Sequence, residues 1–210
     1  MVDRKEITKE EAKALITELA NESRRSIIGI IGKPGGGKST LSKFLIKGMD
    51  PALVCVVPMD GFHLSNKVLK ELGRSERKGA PDTFDVNGFL NLIERIKSDN
   101  SQPIYYPIFD RSIEESIAAQ GVVYPTTRVV IVEGNYLMHD QDGWQEIAPL
   151  LDQSWYAYLE EDIRISRLIS RHIAFGKDPE SAKAWAKGSD QANADLIERG
   201  VAGCDFLIHS

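Results

Sequence analysis

The run Gly32-Lys33-Pro34-Gly35-Gly36-Gly37-Lys38-Ser39 sets a lysine and a hydroxyl directly behind a glycine-rich turn, at the spacing G-x-x-x-x-G-K-[ST]. A loop that wraps a phosphate turns its backbone N–H groups inward, which needs dihedral angles and a close approach that glycine permits. A β-branched run, Ser26–Ile31, precedes the loop and a helical pattern over 38–47 follows it. The helix N-terminus then aims about half an elementary charge at the same anion. In that setting the stretch from Gly32 through Thr40 reads as a cradle for a nucleoside triphosphate, ATP being the expected one. Lys38 reaches the β- and γ-phosphates, and the Ser39 hydroxyl can ligate Mg²⁺.

Triphosphate binding does not by itself fix a reaction. The guanine-reading pattern Asn-Lys-x-Asp fails here, because Asn66-Lys67 is followed by Val68-Leu69. Phosphoryl transfer to a hydroxyl needs a base, a metal site and cations over the migrating group. Asp60 follows the apolar run 53–57, where it is either that base or the cap of a helix through 64–72. Glu133 ends Val129-Val130-Ile131-Val132 and precedes a glycine, the place for a metal-organising carboxylate or for a solvated strand end. Arg164, Arg167 and Arg171 share one helical face, as phosphate clamps or as a stripe paired to Glu160 and Glu161. His139, His172 and His209 have no metal-ligand spacing, and Trp144, Trp155 and Trp185 read as packing residues.

The elements that must position these groups alternate. Short β-branched runs occur at Ser26–Ile31, 53–57, 129–132 and 206–208, with a weaker one at 155–159. Helical periodicity fills 10–22, 38–47, the segment after Asp85, which stands as its N-cap before Phe89, Leu92, Ile93 and Ile96, 163–175 and 178–199. Alternation of this kind specifies a parallel sheet in an α/β fold with helices on both faces. Residues 73–85 form a charged loop, and 102–127 read as an irregular or hairpin insertion; such excursions commonly carry substrate contacts. One domain is expected over 1–210, with an N-terminal helix inside 1–25 and a lid at 160–178.

The 210 residues suffice for a full core without staples. Two cysteines without Cys-x-x-Cys spacing suggest a reducing compartment. A formal net charge of −5 argues against a nucleic-acid surface. The charged first 25 residues lack a signal peptide's apolar core, and no apolar run approaches the ~20 residues of a membrane span, so a cytoplasmic protein is expected.

Taken in order, several segments resemble the phosphoribulokinase/uridine kinase superfamily, in particular its pantothenate kinase-like branch. They are 32–40, Asp60-Gly61-Phe62-His63, Asn66 with Val68-Leu69, 77–85, Pro107-Ile108-Phe109-Asp110, Val132-Glu133-Gly134 and the arginine helix. The resemblance implies a five-stranded parallel P-loop NTPase core and transfer of a phosphoryl from MgATP to a small-molecule hydroxyl. It implies Asp60 as general base, Lys38 as phosphate clamp, Ser39 and Glu133 around the metal, and Arg167 and Arg171 as lid arginines. His63, Tyr106 and the loop carrying Arg77, Lys78 and Asp85 would line the acceptor pocket. The chain is shorter than pantothenate kinases and looks more like small sugar or fructose-transport-associated kinases. Sugar, nucleoside and pantothenate-like acceptors all stay open, and a homodimer is the default assembly. A regulatory ATPase acting on a protein partner is the alternative reading. The segment Ser189-Asp190-Gln191-Ala192-Asn193-Ala194 also fits the small-kinase group, with no physical role assigned beyond a helix bordering the nucleotide.

Overall fold

The computed structural model describes residues 5–98 and 101–210. The chain opens with β1 (Lys5–Ile7), α1 (Lys9–Ala20), β2 (Ser26–Ile31), α2 (Lys38–Ile46) and β3 (Val54–Pro58), then α3 (Asn66–Glu71) and α4 (Val86–Ser98). There follow β4 (Ile104–Asp110), β5 (Glu115–Val123), β6 (Val129–Gly134) and β7 (Gln153–Tyr158). Three helices, α5 (Glu161–Ala174), α6 (Pro179–Lys187) and α7 (Ser189–Val201), lead to β8 (Phe206–His209). Six strands make one parallel sheet in the order β1-β8-β7-β2-β6-β3.

The sheet therefore has six strands where five were expected. The addition is β1, which pairs with β8 from Lys5–Phe206 to Ile7–Ile208. Only Ile7 of its three residues is buried, so no apolar run announces it. The N-terminal helix expected within 1–25 is α1, held by a capping box between Thr8 and Glu11; positions 1–4 lie outside the described residues.

Strand pleating sorts the core into two layers. Ile27, Ile31, Val130 and Val132 face α4 and α7 through Phe89, Ile93, Ile197 and Val201. Ile28, Ile30, Val129 and Ile131 face α1 and α2 through Ile16, Leu41 and Leu45. Both faces of β2 and β6 are covered, which is why those strands are apolar at almost every position.

The insertion 102–127 is the antiparallel hairpin β4–β5. It packs on the turn after β3 closely enough that a Cβ on Gly61 would collide with the Pro107 carbonyl. This contact corrects one expectation. Tyr106 does not face the cleft described below; its ring is 5% exposed in the core, and its hydroxyl donates to the Val56 carbonyl at 2.8 Å. The residue alternates inward on β4 while Tyr105 points to solvent, a register that the sequence alone did not fix.

Arg164 on α5 is 1% exposed. It donates to the Pro34 carbonyl at 3.1 Å, to Glu161 at 2.9 Å and to the Gln191 side chain. One guanidinium thus pins α5 to the glycine-rich loop and to α7. Arg164→Met should lower unfolding free energy by about 2–3 kcal/mol in urea titrations, because the Pro34 and Gln191 oxygens lose a charged donor. Tyr106→Phe should cost about 1 kcal/mol and leave catalytic constants unchanged. A raised acceptor KM in that variant would restore Tyr106 to the pocket.

Candidate active site

The glycine-rich loop leaves the carboxyl end of β2 and enters α2 at Lys38. Gly35 and Gly37 hold φ at 75° and 89°, the left-handed region that glycine occupies without strain. At Gly35 space is also short, since a Cβ would lie 2.7 Å from Leu168 of α5.

Lys38 is half-buried beneath this loop and reaches the cleft. Its ammonium donates to the Gly32 carbonyl at 2.9 Å, the Lys33 carbonyl at 3.2 Å and Asn135 Oδ1 at 2.5 Å. Burial pulls its pKa down to about 8, against the opposing pull of Glu133 and Asp60. All three hydrogen-bond partners are neutral, so a phosphate oxygen would be the first anion the ammonium touches.

Strand order brings the two carboxylates alongside. β6 lies next to β2 with Ile30 opposite Glu133, and β3 lies next to β6 with Pro58 opposite Glu133. Glu133 accepts from the Ser39 hydroxyl at 2.5 Å and from Ser42 at 3.0 Å. Asp60 sits two residues beyond β3 in the 3₁₀ turn Met59–Phe62, and its carboxylate accepts from Arg111 at 2.7 Å. Lys38, Ser39, Asp60 and Glu133 all line one cleft of about 750 Å³, at the strand ends where open parallel sheets bind ligands.

Among the described residues no group of three or more His, Cys, Asp or Glu could cage a metal ion. Ser39 and Glu133 nevertheless fit Mg²⁺, a hard cation that takes one or two protein oxygens and completes its shell with water and phosphate oxygens.

The other expected site residues divide. His63 lines the cleft, stacked on Phe84 at 4.0 Å and tilted against Phe109 at 5.0 Å; burial lowers its pKa to about 4. Lys78 also lines it, bonded to Asn66 Oδ1 at 2.7 Å and the Glu114 carbonyl at 2.6 Å. Arg171 lines it too, its pKa lowered by burial, its guanidinium without a hydrogen bond or ion pair among the described residues. Pro34 is the other loop residue on this cleft wall. Lys33 instead pairs with Glu198 at 2.9 Å, and Thr40 is exposed on α2.

Arg77 and Asp85 are not brought to the cleft. Arg77 pairs with Asp82, and Asp85 caps α4 by accepting from Gly88 N at 2.9 Å. Arg167 is exposed beside Gly37 and lies outside the cleft lining. Sequence reasoning missed Arg111, although a cation directly after Phe109-Asp110 was visible. His172 and Trp185, read from sequence as a histidine without metal-ligand spacing and a packing residue, line the same cleft, as do Asp190 and Asn193 from the segment 189–194, for which only a helix bordering the nucleotide was expected.

The family model for the phosphoribulokinase/uridine kinase family matches residues 27–209. A uridine kinase-like protein of Schizosaccharomyces pombe is 31% identical over 201 residues, covering 91% of this chain and 86% of that one. The Escherichia coli protein YggC is 34% identical over 184 residues, covering 86% and 76%. The solved structure of a fructose transport system kinase-like protein from Silicibacter sp. TM1040 superposes with a TM-score of 0.85 at 36% identity, covering 96% and 98%. With a phosphate cradle, a carboxylate facing it and this extent of similarity, the chain belongs to the phosphoribulokinase/uridine kinase family and is an ATP-dependent P-loop kinase.

Proposed function

We propose that this kinase transfers the γ-phosphoryl of ATP to a hydroxyl of a sugar, nucleoside or pantothenate-like acceptor, with Asp60 as general base. The observation that carries the reading is the position of Asp60, which lines the same cleft as Lys38 at the end of a strand two places along the sheet from the one that leads into the glycine-rich loop.

The step balances on these residues. The acceptor hydroxyl gives its proton to Asp60 as its oxygen forms a bond to the γ-phosphorus. The bond from that phosphorus to the β–γ bridging oxygen breaks, and its electron pair stays on ADP. Arg111 holds the carboxylate in place through its 2.7 Å contact. His63, with its pKa near 4, is neutral at working pH and serves as a wall rather than a charge. Lys38 and Arg171 supply fixed positive charge where the phosphoryl oxygens pass, which is worth most in an enclosed site. Ser39 and Glu133 would hold Mg²⁺, whose chemistry when bound is to offset negative charge on the phosphates.

Two measurements test this arrangement. Asp60→Asn should cut acceptor-stimulated ADP release by about 10²–10⁴-fold while calorimetry shows MgATP affinity within about threefold of the parent; undiminished turnover would remove Asp60 from the base role. Affinity for ATP should also follow Lys38. The protonated amine binds phosphate, and in the free protein it titrates at about 8. Binding is therefore at full strength below that pH and weakens by up to about tenfold per unit above it. In Lys38→Met the same titration should be flat between pH 7 and 9.5.

A further inference from the structure

One wall of the cleft is polar in a way that the transfer step does not use. Asp190 and Asn193 stand three residues apart on α7, so they share a face. Each is 8% exposed, and both line the cleft with His172. Asp190 Oδ2 meets His172 Nε2 at 2.7 Å. The Asn193 amide donates to the Gly79 carbonyl at 3.4 Å, a contact at the outer limit of a hydrogen bond, and the Tyr136 hydroxyl already donates to that carbonyl at 2.6 Å. Among the described residues neither Asp190 Oδ1 nor the Asn193 side-chain carbonyl has a hydrogen-bond partner.

Neither oxygen is sealed inside the protein; both residues line the cleft, so a ligand there can supply donors in place of solvent. A carboxylate only accepts, whereas a carboxamide both donates and accepts. Hydroxyl groups answer both at once. An anionic substituent at this wall would meet the Asp190 charge, and an apolar one would leave both groups unpaired. The wall also belongs to the acceptor end of the cleft, because Asn193 abuts Gly79, next to Lys78 and on the loop that leads to Phe84 and its stacked His63.

We infer that Asp190 and Asn193, with Asp190 held by His172, recognise a polyhydroxylated acceptor, a sugar or sugar alcohol, through hydroxyls other than the one that is phosphorylated. This rests on the proposed transfer to a small acceptor, and it narrows that acceptor to one of the three classes.

The test pairs pentoses, hexoses and their alditols with matched monodeoxy analogues. Each is read by ADP release with the parent enzyme and by calorimetric binding to Asp60→Asn, which does not depend on turnover. A preferred polyol should outperform its deoxy analogue by at least about tenfold, since a site built for a hydroxyl rejects the compound lacking it. Asn193→Ala should reduce that preference below about threefold with the KM for ATP unchanged. Asp190→Asn should do the same, and serves if the first variant does not fold. Persistence of the preference in both variants overturns the inference, as does a rise in KM for ATP instead. Turnover confined to pantothenate-like compounds sinks the wall but leaves the transfer reading standing. Polyol binding to Asp60→Asn that needs Asn193, without turnover in the parent, does the reverse.

Discussion

An ammonium group held under a glycine-rich loop and touched only by neutral oxygens is the constraint around which this molecule is arranged. Lys38 is half-buried, and none of its hydrogen-bond partners returns a full negative charge. The nearby carboxylates are each engaged elsewhere. Glu133 is bound by two serine hydroxyls and Asp60 by Arg111. Had either carboxylate closed directly on Lys38, the cradle would be neutralised from within and a phosphate would have to break an ion pair to enter. Keeping the pairs apart leaves Lys38 and Arg171 with unmatched charge for an incoming anion, a preorganised field rather than one assembled on binding.

Strand order does the positioning. β3, β6 and β2 are neighbours at one end of the sheet, so Asp60, Glu133 and the loop before Lys38 emerge side by side although 73 positions separate Asp60 from Glu133 in the chain. Rigid strands packed on both faces fix those three emergence points. Helix α5 is then fastened to the loop, at Gly35 by contact with Leu168 and at Pro34 by Arg164. The helix that carries Arg171 is therefore tied at its first turn, close to the phosphate cradle.

What was legible in the sequence was what is local. The loop 32–39 is read from spacing, and β2 and β6 from unbroken apolar runs, because burial on both faces writes itself into consecutive residues. Asp60 and Glu133 were legible because each follows such a run. β1 was not, since a three-residue edge strand with one buried side chain has no periodicity to detect. Tyr106 was misplaced because a one-residue step along a strand exchanges core for surface, and the bulge between Tyr106 and Ile108 shifts the register further. Arg77 and Asp85 were credited to the pocket with Lys78 on the resemblance, but Arg77 is consumed by Asp82, a partner set by loop geometry, and Asp85 keeps the helix-cap role that its place before Phe89 had also suggested.

The grouping of Asp190, Asn193 and His172 was not legible for a different reason. Each is an ordinary polar residue on a helix, and its meaning arises only when α5 and α7 fold over the loop around Gly79. This divides the site by origin. In the proposed reaction the groups that handle the phosphoryl sit on the cradle, on the two strand ends and on α5. The groups proposed to face the acceptor come from the hairpin, the loop 73–85 and the last helix. Phosphoryl transfer is mostly positioning and fixed charge, which makes few demands on the rest of the acceptor. A wall built from separate, peripheral elements can then change what it recognises without moving Asp60 relative to Lys38.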